Sequence, residues 1–483
     1  MFRSLPAGLL AYLLLLLDFP YAHQLDIRGS RQHSHPVDHL RRGGPISLSN
    51  LADISYHADI LLGGQHFQVL VDTGSSDLWV AGSVQQSSDT ALNASVFYAI
   101  GKVEGPIRTA HLQLGDDRVE NQAFIQVSPS LRNREGTGIL GLGPSSGSFI
   151  LSQLSGPTGA PPLDRLFIQD ATAPDYFTIL LGRHGDPTSF FSGTITIGSV
   201  LPDYTDILSS PKLPISLVSD GNSHNQHFQV ELDPDGIIGP DGKPISLGPH
   251  IANKDDGKAT VVMDCGFTLP QIPQDAAEAI YSRFKDSVFT TVEGLGGVWV
   301  VPCATEVNVT FVFGGQRYPM HPLDMTLPPE IFNLRNVTNS RGVPVCIGSF
   351  QPFTFDRGHK ATYDLVLGMA FMRNVYTLFD YADFVLGANT TNENKGPYIQ
   401  MYSITNMSQA HLDFVKVRLG GIDTTGDQKL LDGPRKKGDS KNPAIYYVIA
   451  VIVVIVLMVI AMIYIPWKKR NRRSLGEGGK VVQ

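Results

Sequence analysis

The chain is short of charge, of tryptophan and of cysteine. Only 17% of its 483 residues are charged, and it has 3 tryptophans and 3 cysteines. In an oxidising compartment, three cysteines make one bridge and leave one thiol over. No HExxH stretch is present, so the helix-borne zinc site of many hydrolases is not encoded. Long helical periodicity is also scarce. The 48 glycines and 32 prolines punctuate short apolar runs, which reads as strands separated by turns. The net charge is −7, and the basic residues gather towards the two ends, leaving an acidic centre. That balance argues against a phosphate-binding partner, so no nucleic acid is expected.

The two termini carry what the middle lacks, long apolar runs. Residues 1–22, MFRSLPAGLLAYLLLLLDFPYA, have an early Arg3, an apolar core and a small residue at Ala22, the pattern of a secretory signal peptide. Residues 444–467, AIYYVIAVIVVIVLMVIAMIYIPW, are long enough to cross a bilayer core of about 30 Å. Lys468, Lys469, Arg470, Arg472 and Arg473 follow, which makes 468–483 a cytoplasmic tail and everything earlier lumenal or extracellular. A glycolipid-anchor signal also ends apolar but lacks such a basic extension, so a retained single-pass anchor is the favoured reading. Sequons at Asn93, Asn308, Asn336, Asn389 and Asn406 all fall on the expected lumenal side and make these asparagines candidate glycosylation sites.

Between these ends, 23–50 is polar and holds a dibasic Arg41-Arg42. It reads as a candidate pro-segment or, alternatively, as a disordered arm. Residues 51–408 read as β throughout, divided as one lobe over 51–200 and a second over 201–408. The clearest helix is DAAEAIYSRFKDSV at 275–288, with Asp275 as its cap. Residues 409–443 are rich in Gly, Asp and Lys and read as a stalk.

An internal repeat organises the two halves. VLVDTGSSDLWV places Asp72 after an apolar run, and VVMDCGFT does the same for Asp264. Each half later holds an apolar-apolar-Gly, at Ile139-Leu140-Gly141 and at Val366-Leu367-Gly368. Two copies of one device imply two lobes related by a pseudo-two-fold, with the aspartates facing each other where the lobes meet.

With VDTGSSDLWV, VVMDCGFTLPQIPQDAAEAIYSRF, WVVPC, FVFGGQRY and LVLGMAFMRNVYTLFD, the chain over 51–405 resembles the pepsin-like aspartic proteases. The resemblance implies an all-β bilobal acid-protease fold with a cleft between the lobes, to which this chain adds a C-terminal transmembrane helix. It implies a membrane-anchored endopeptidase of the secretory pathway, made as a zymogen, monomeric, acting on peptides or proteins at acid pH, with no cofactor and no metal. Asp72 and Asp264 would form the catalytic dyad, two carboxyls sharing one proton; such dyads are the standard example of like charges splitting their titration. In family terms Gly74 and Gly266 let backbone amides approach the carboxylates, Thr73 locks the two loops together, and Ser75 supports Asp72. Tyr98 would be the flap tyrosine, with Gly101 and Gly105 at the turn. Cys303 and Cys346 match the family's disulfide places, leaving Cys265 as the lone thiol.

The second motif departs from the pattern. Cys265 stands where a locking hydroxyl is expected, and a thiol is a weaker donor. Phe267 occupies the place of Ser75 and offers Asp264 no hydrogen bond, with Thr268 one residue on as the candidate substitute. Only eighteen residues separate Trp79 from Tyr98, which predicts a reduced loop behind the flap and a more open flap region. These departures leave a second reading in view, a catalytically impaired relative serving as a surface binding or adhesion protein.

Overall fold

Strand formation follows directly from alternation. In Ser55–Leu62 the side chains of Tyr56, Ala58, Ile60 and Leu62 are buried on one face. Gly63 and Gly64 both have positive φ, 57° and 77°, as the tight hairpin turn requires, and return the chain as Gln65–Asp72. There Phe67, Val69 and Val71 are buried, and the strand ends on Asp72.

A computed structural model describes residues 44–433 apart from 99–100, 171, 189–190, 219–224, 248–257, 293–295, 333, 335–336, 354–360 and 388–395. The expected signal peptide, the membrane span at 444–467, the tail at 468–483, and Asn336 and Asn389 lie outside the described residues. Among those described, no helix is long and apolar enough to cross a membrane.

Sheets dominate and the helices are short. An eight-stranded sheet in the N-terminal half includes Gln65–Asp72 paired in parallel with Thr137–Gly141, which in turn lies antiparallel to Leu78–Ala81. The C-terminal half repeats this: Ala259–Met263 runs parallel to Leu365–Leu367, and Gln271–Ile272 lies antiparallel to that strand. A third sheet, of six strands, takes Gly193–Ile197 and Tyr176–Leu181 from the first half and Val375–Asp380, Tyr398–Ser403 and Leu213–Pro214 from the second. Phe177 stacks on Phe379 across it, with ring centroids 4.8 Å apart. The expected division at residue 200 therefore crosses a shared sheet.

Three expected boundaries are corrected. Ile46–Ser47 pairs with Gly193–Ile197 in the six-stranded sheet and Ser49–Leu51 pairs with Ser55–Leu62, so 46–50 are part of the folded body and not of a disordered arm. The helix expected at 275–288 spans Gln274–Tyr281, burying Ala276, Ala277, Ile280 and Tyr281; its N-cap is Pro273, and Asp275 sits in the first turn. Its C-cap is Ser282, and beyond it Phe284 is buried and bridges to Leu430. That bridge belongs to the third correction. Residues 409–431, expected as stalk, are packed on the C-terminal half. The helix Met407–Arg418 buries Ala410, Phe414 and Val415, and Asn406 caps it by accepting from the amides of Ser408 and Gln409. Gln428 then accepts from the amide of Glu306 and donates to its carbonyl.

Cys303 and Cys346 are bonded, S–S 2.02 Å, and Cys265 is free and buried, as the resemblance implied. Of the described sequons, Asn93 and Asn406 are exposed. Asn308 is half-buried.

Candidate active site

The two Asp-x-Gly loops leave their strands at equivalent points. Asp72 is in register with Gly141 across the parallel pair, and its carbonyl accepts from Leu142 N at 2.7 Å. Asp264 follows Met263, which is in register with Leu367, and its amide donates to Leu367 O at 3.0 Å. Each loop is then pinned by the apolar-apolar-Gly segment of its own half: Gly143 N donates to Ser75 O, and Met369 N to Phe267 O. The repeat seen in the sequence is thus a repeat in hydrogen bonding.

Both aspartates are nearly buried, 6% and 8% exposed, on one cleft wall-to-wall. Gly74 N donates to Asp72 Oδ1 at 2.9 Å and Gly266 N to Asp264 Oδ1 at 2.7 Å. The glycines are required by crowding: a Cβ on Gly74 would collide with the Asp264 carboxyl, and one on Gly266 with that of Asp72. Each glycine therefore lies against the opposite carboxylate, which brings the two acids together. Burial, then the charge of Asp72 and a hydrogen bond to it, push the Asp264 carboxyl well above the usual carboxylate range.

Thr73 and Cys265 close the base of the site. Thr73 Oγ1 donates to Met263 O at 2.9 Å and accepts from Cys265 N at 2.9 Å. From the other side the Cys265 thiol donates to Val71 O at 3.4 Å. The lock is thus made on both sides, with sulfur in place of one oxygen. Burial and the two neighbouring carboxylates push the thiol pKa up, so Cys265 is no nucleophile.

The outer supports are unequal. Ser75 Oγ donates to Asp72 Oδ2 at 2.5 Å. Above it, Trp79 Nε1 donates to the Tyr98 hydroxyl at 2.8 Å. Among the described residues no side-chain donor of the Ser75 kind reaches Asp264. Phe267 replaces the serine, and Thr268, the candidate substitute, donates instead to Ile54 O at 2.7 Å. Thr268 therefore ties the two halves together and does not support Asp264.

Tyr98 ends the strand Ser87–Tyr98 and pairs with Gly101, the first residue of Gly101–Leu114, whose φ is 137°. Gly105 is not at this turn. It pairs with Ala94 within the hairpin, and a Cβ there would strike Gln126 O. Tyr98 is backed directly by Trp79, and the tip of the hairpin at 99–100 lies outside the described residues.

Sequence reasoning missed three contributors. Asp77, within the quoted first motif, is buried and accepts from Ser148 Oγ, Phe149 N and Ile150 N, holding the start of a short helix against the cleft. Phe149 lines the cleft near Phe97, ring centroids 6.3 Å apart. His227 lines the opposite wall. The stretch Gly143-Pro144-Ser145-Ser146-Gly147 has serine-hydrolase spacing, but the Ser145 hydroxyl is spent on Phe384 O at 2.7 Å. Among the described residues no cluster of His, Cys, Asp and Glu could hold a metal ion. The cleft encloses about 420 Å³, lined largely by apolar side chains with the dyad at its floor.

Comparisons with known proteins agree with this geometry. Residues 55–390 match the sequence profile described as eukaryotic aspartyl protease. The chain is 26% identical over 374 residues to major aspartyl peptidase 1 of Cryptococcus neoformans var. grubii, covering 72% of this chain and 71% of that protein. It is 25% identical over 398 residues to mouse cathepsin E, covering 77% and 88%. In fold it is similar to the crystal structure of aspartic proteinase from Irpex lacteus, with a TM-score of 0.55, 20% identity, and 76% and 99% of the two chains covered.

Proposed function

The chain belongs to the eukaryotic aspartyl protease family, and we propose that it is an aspartic endopeptidase hydrolysing peptide bonds at acid pH through Asp72 and Asp264. The observation that carries this reading is the unequal pair: two buried carboxyls held together by crossed glycines, one with a full set of donors and one without. Donors favour the ionised form and burial disfavours it. Burial and the charge of Asp72 hold the Asp264 proton, so we assign Asp264 as the acid and Asp72 as its partner base in a pair that acts jointly.

The chemistry follows from those roles. Asp72 takes a proton from water as the water oxygen bonds to the scissile carbonyl carbon, while Asp264 gives its proton to the carbonyl oxygen. The tetrahedral gem-diol then collapses: the C–N bond breaks, the amine nitrogen takes the proton held by Asp72, and a hydroxyl proton returns to Asp264. Tyr98 closes over the Asp72 side, and the apolar walls exclude bulk water, which strengthens the charges within. Both acids come from one chain, so a monomer is sufficient.

We place the enzyme in the secretory pathway, anchored by 444–467 with its catalytic part lumenal or extracellular, and made with a pro-segment within 23–50. The apolar run, its basic flank and Arg41-Arg42 support this. A second reading, an impaired protease that binds rather than cuts, draws on one observation: Asp264 lacks the serine-type donor that Asp72 has. Peptide cleavage by the full chain between about pH 3 and 6, with and without a statine-type inhibitor, decides between them. The peptidase reading expects inhibitor-sensitive cleavage that falls by at least about 10³-fold in Asp264→Asn. Equal inertness of wild type and mutant at every pH would leave only the binding protein.

A further inference from the structure

Arg418 ends the helix Met407–Arg418, and its guanidinium reaches the disulfide of the C-terminal half. Nη2 donates to Thr326 O at 2.8 Å, Nη1 reaches Cys346 Sγ at 3.2 Å, and Nε is buried with no partner among the described residues. Cys346, on the strand Val345–Gly348, is fully buried. Cys303, at the other end of the bridge, is half-buried beside the exposed Ala304. One end of the bridge is thus open to approach and the other is held against a cation. The bridge ties together two strands that already pair, Gly296–Pro302 and Val345–Gly348. Val298, Val300, Val345 and Ile347 from these strands pack with Leu269, which lines the cleft.

A disulfide sulfur is a weak acceptor. A guanidinium with one N–H on such a sulfur and another on nothing gains little there to offset its loss of water. A thiolate in the same place changes the balance, because a cation at contact favours the ionised thiol and makes it a better leaving group. The surroundings of Cys346 therefore suit the reduced form better than the bonded one. We propose that Cys303–Cys346 is a reducible bridge, opened by a small-molecule thiol at Cys303, with Arg418 stabilising the Cys346 thiolate that leaves. The step is an exchange. The incoming thiolate sulfur bonds to Cys303 Sγ, the S–S bond breaks, and its electron pair stays on Cys346 Sγ beside Arg418 Nη1. A second equivalent of the thiol then frees Cys303, leaving two protein thiols and one oxidised small-molecule disulfide. Burial lowers the Arg418 pKa only to about 10, so the cation persists at the neutral pH where thiolates form. Cys265 stands apart, buried with its thiol on Val71 O. The inference holds whether or not the dyad cuts peptides.

The test is reduction of the oxidised full chain by excess glutathione at pH 7.5, quenched in acid at intervals, then alkylated after unfolding and mapped by peptide mass. In wild type the first glutathione adduct is expected on Cys303, with Cys346 as the free thiol. In Arg418→Gln, reduction is expected to slow by at least about 3-fold, while Arg418→Lys keeps most of the wild-type rate. Loss of packing acts in the opposite direction, since a loosened fold exposes the bridge and speeds its reduction. A slower Arg418→Gln therefore reports the lost charge and not a damaged fold. Three results overturn the proposal: a wild-type bridge that resists glutathione, a first adduct on Cys346, or a folded Arg418→Gln chain reduced as fast as wild type. The first two are read on wild type alone, so they decide even where a variant fails to fold.

Discussion

Asp164 allows a test of how far this fold is built for acid. It lies on the short helix Pro162–Gln169 and is fully buried, and neither carboxyl oxygen has a hydrogen-bond partner among the described residues. The nearby Ser145 hydroxyl is spent on Phe384 O. Burial pushes the carboxyl up from 3.8 to about 7, with the charge of Asp175 adding to it. A carboxyl raised in the folded state stabilises the fold fully below its unfolded pKa, and the benefit is lost as pH climbs through the folded value. At about 1.4 kcal/mol per pH unit, the gap from 3.8 to about 7 amounts to about 4 kcal/mol. That is a large share of the roughly 5–15 kcal/mol by which domains are stable. Asp164→Asn removes the titration and keeps the shape. Urea unfolding of both chains at pH 4, 5.5 and 7.5 should therefore show the mutant gaining on wild type by about 4 kcal/mol across the series, whatever their relative stability at pH 4. Parallel stability curves would refute the assignment of a protonated buried acid.

Other outcomes follow from the site. Phe267→Ser offers Asp264 a donor, which favours its carboxylate; the basic limb of kcat/KM should move towards acid by roughly 0.5–1 pH unit, and an unmoved limb would mean the serine does not reach. Gly266→Ala places a methyl in the space of the Asp72 carboxyl, so turnover should fall by at least about 100-fold while thermal unfolding shows a retained fold. His411 Nδ1 lies 3.0 Å from Glu306 Oε1 and its Nε2 3.3 Å from Asp423 Oδ2, and these contacts raise its pKa. Its hold on the helix Met407–Arg418 is complete below the unfolded value and lost as pH rises through the folded one. Proteolysis or hydrogen exchange of that helix should respond to His411→Ala at pH 5 and not at pH 8.

Much of this was legible in the sequence because it is written as local pattern. Alternation in YHADILL and the Gly63-Gly64 pair give the first hairpin, and the repeated apolar run before Asp72 and Asp264 gives the two halves. Cys303 and Cys346 bond where the resemblance put them. The helix Met407–Arg418 was hidden by averaging. Over 409–443 Gly, Asp and Lys dominate, yet Asn406 as cap, Ala410 and Phe414 four apart, and Gly420-Gly421 just beyond the end are a local helix signature. Asp77 was illegible for another reason. Its role depends on a partner about 70 residues away in sequence, Phe149, and no periodicity encodes such a contact.

The DCGFT motif reads differently once these contacts are known. A weak lock and a missing support would both suggest decay if the two lobes had to be equal. The lock is not lost: Cys265 still reaches Val71 O, and its amide still holds Thr73. Only the support has gone, and it has gone from one side. In a symmetric dyad either acid can carry the shared proton, and the hydrogen bonds around it must choose. Here Ser75 directs its hydroxyl at Asp72, while Phe267 has no such donor to offer Asp264, which accepts from the Gly266 amide. On the proposed mechanism this fixes the base and the acid before substrate arrives. A proton held more firmly on Asp264 also keeps the pair singly ionised to higher pH. On that mechanism Phe267 would widen the working range on its basic side and assign the two roles, which is a reason for a functional site to differ from its own repeat.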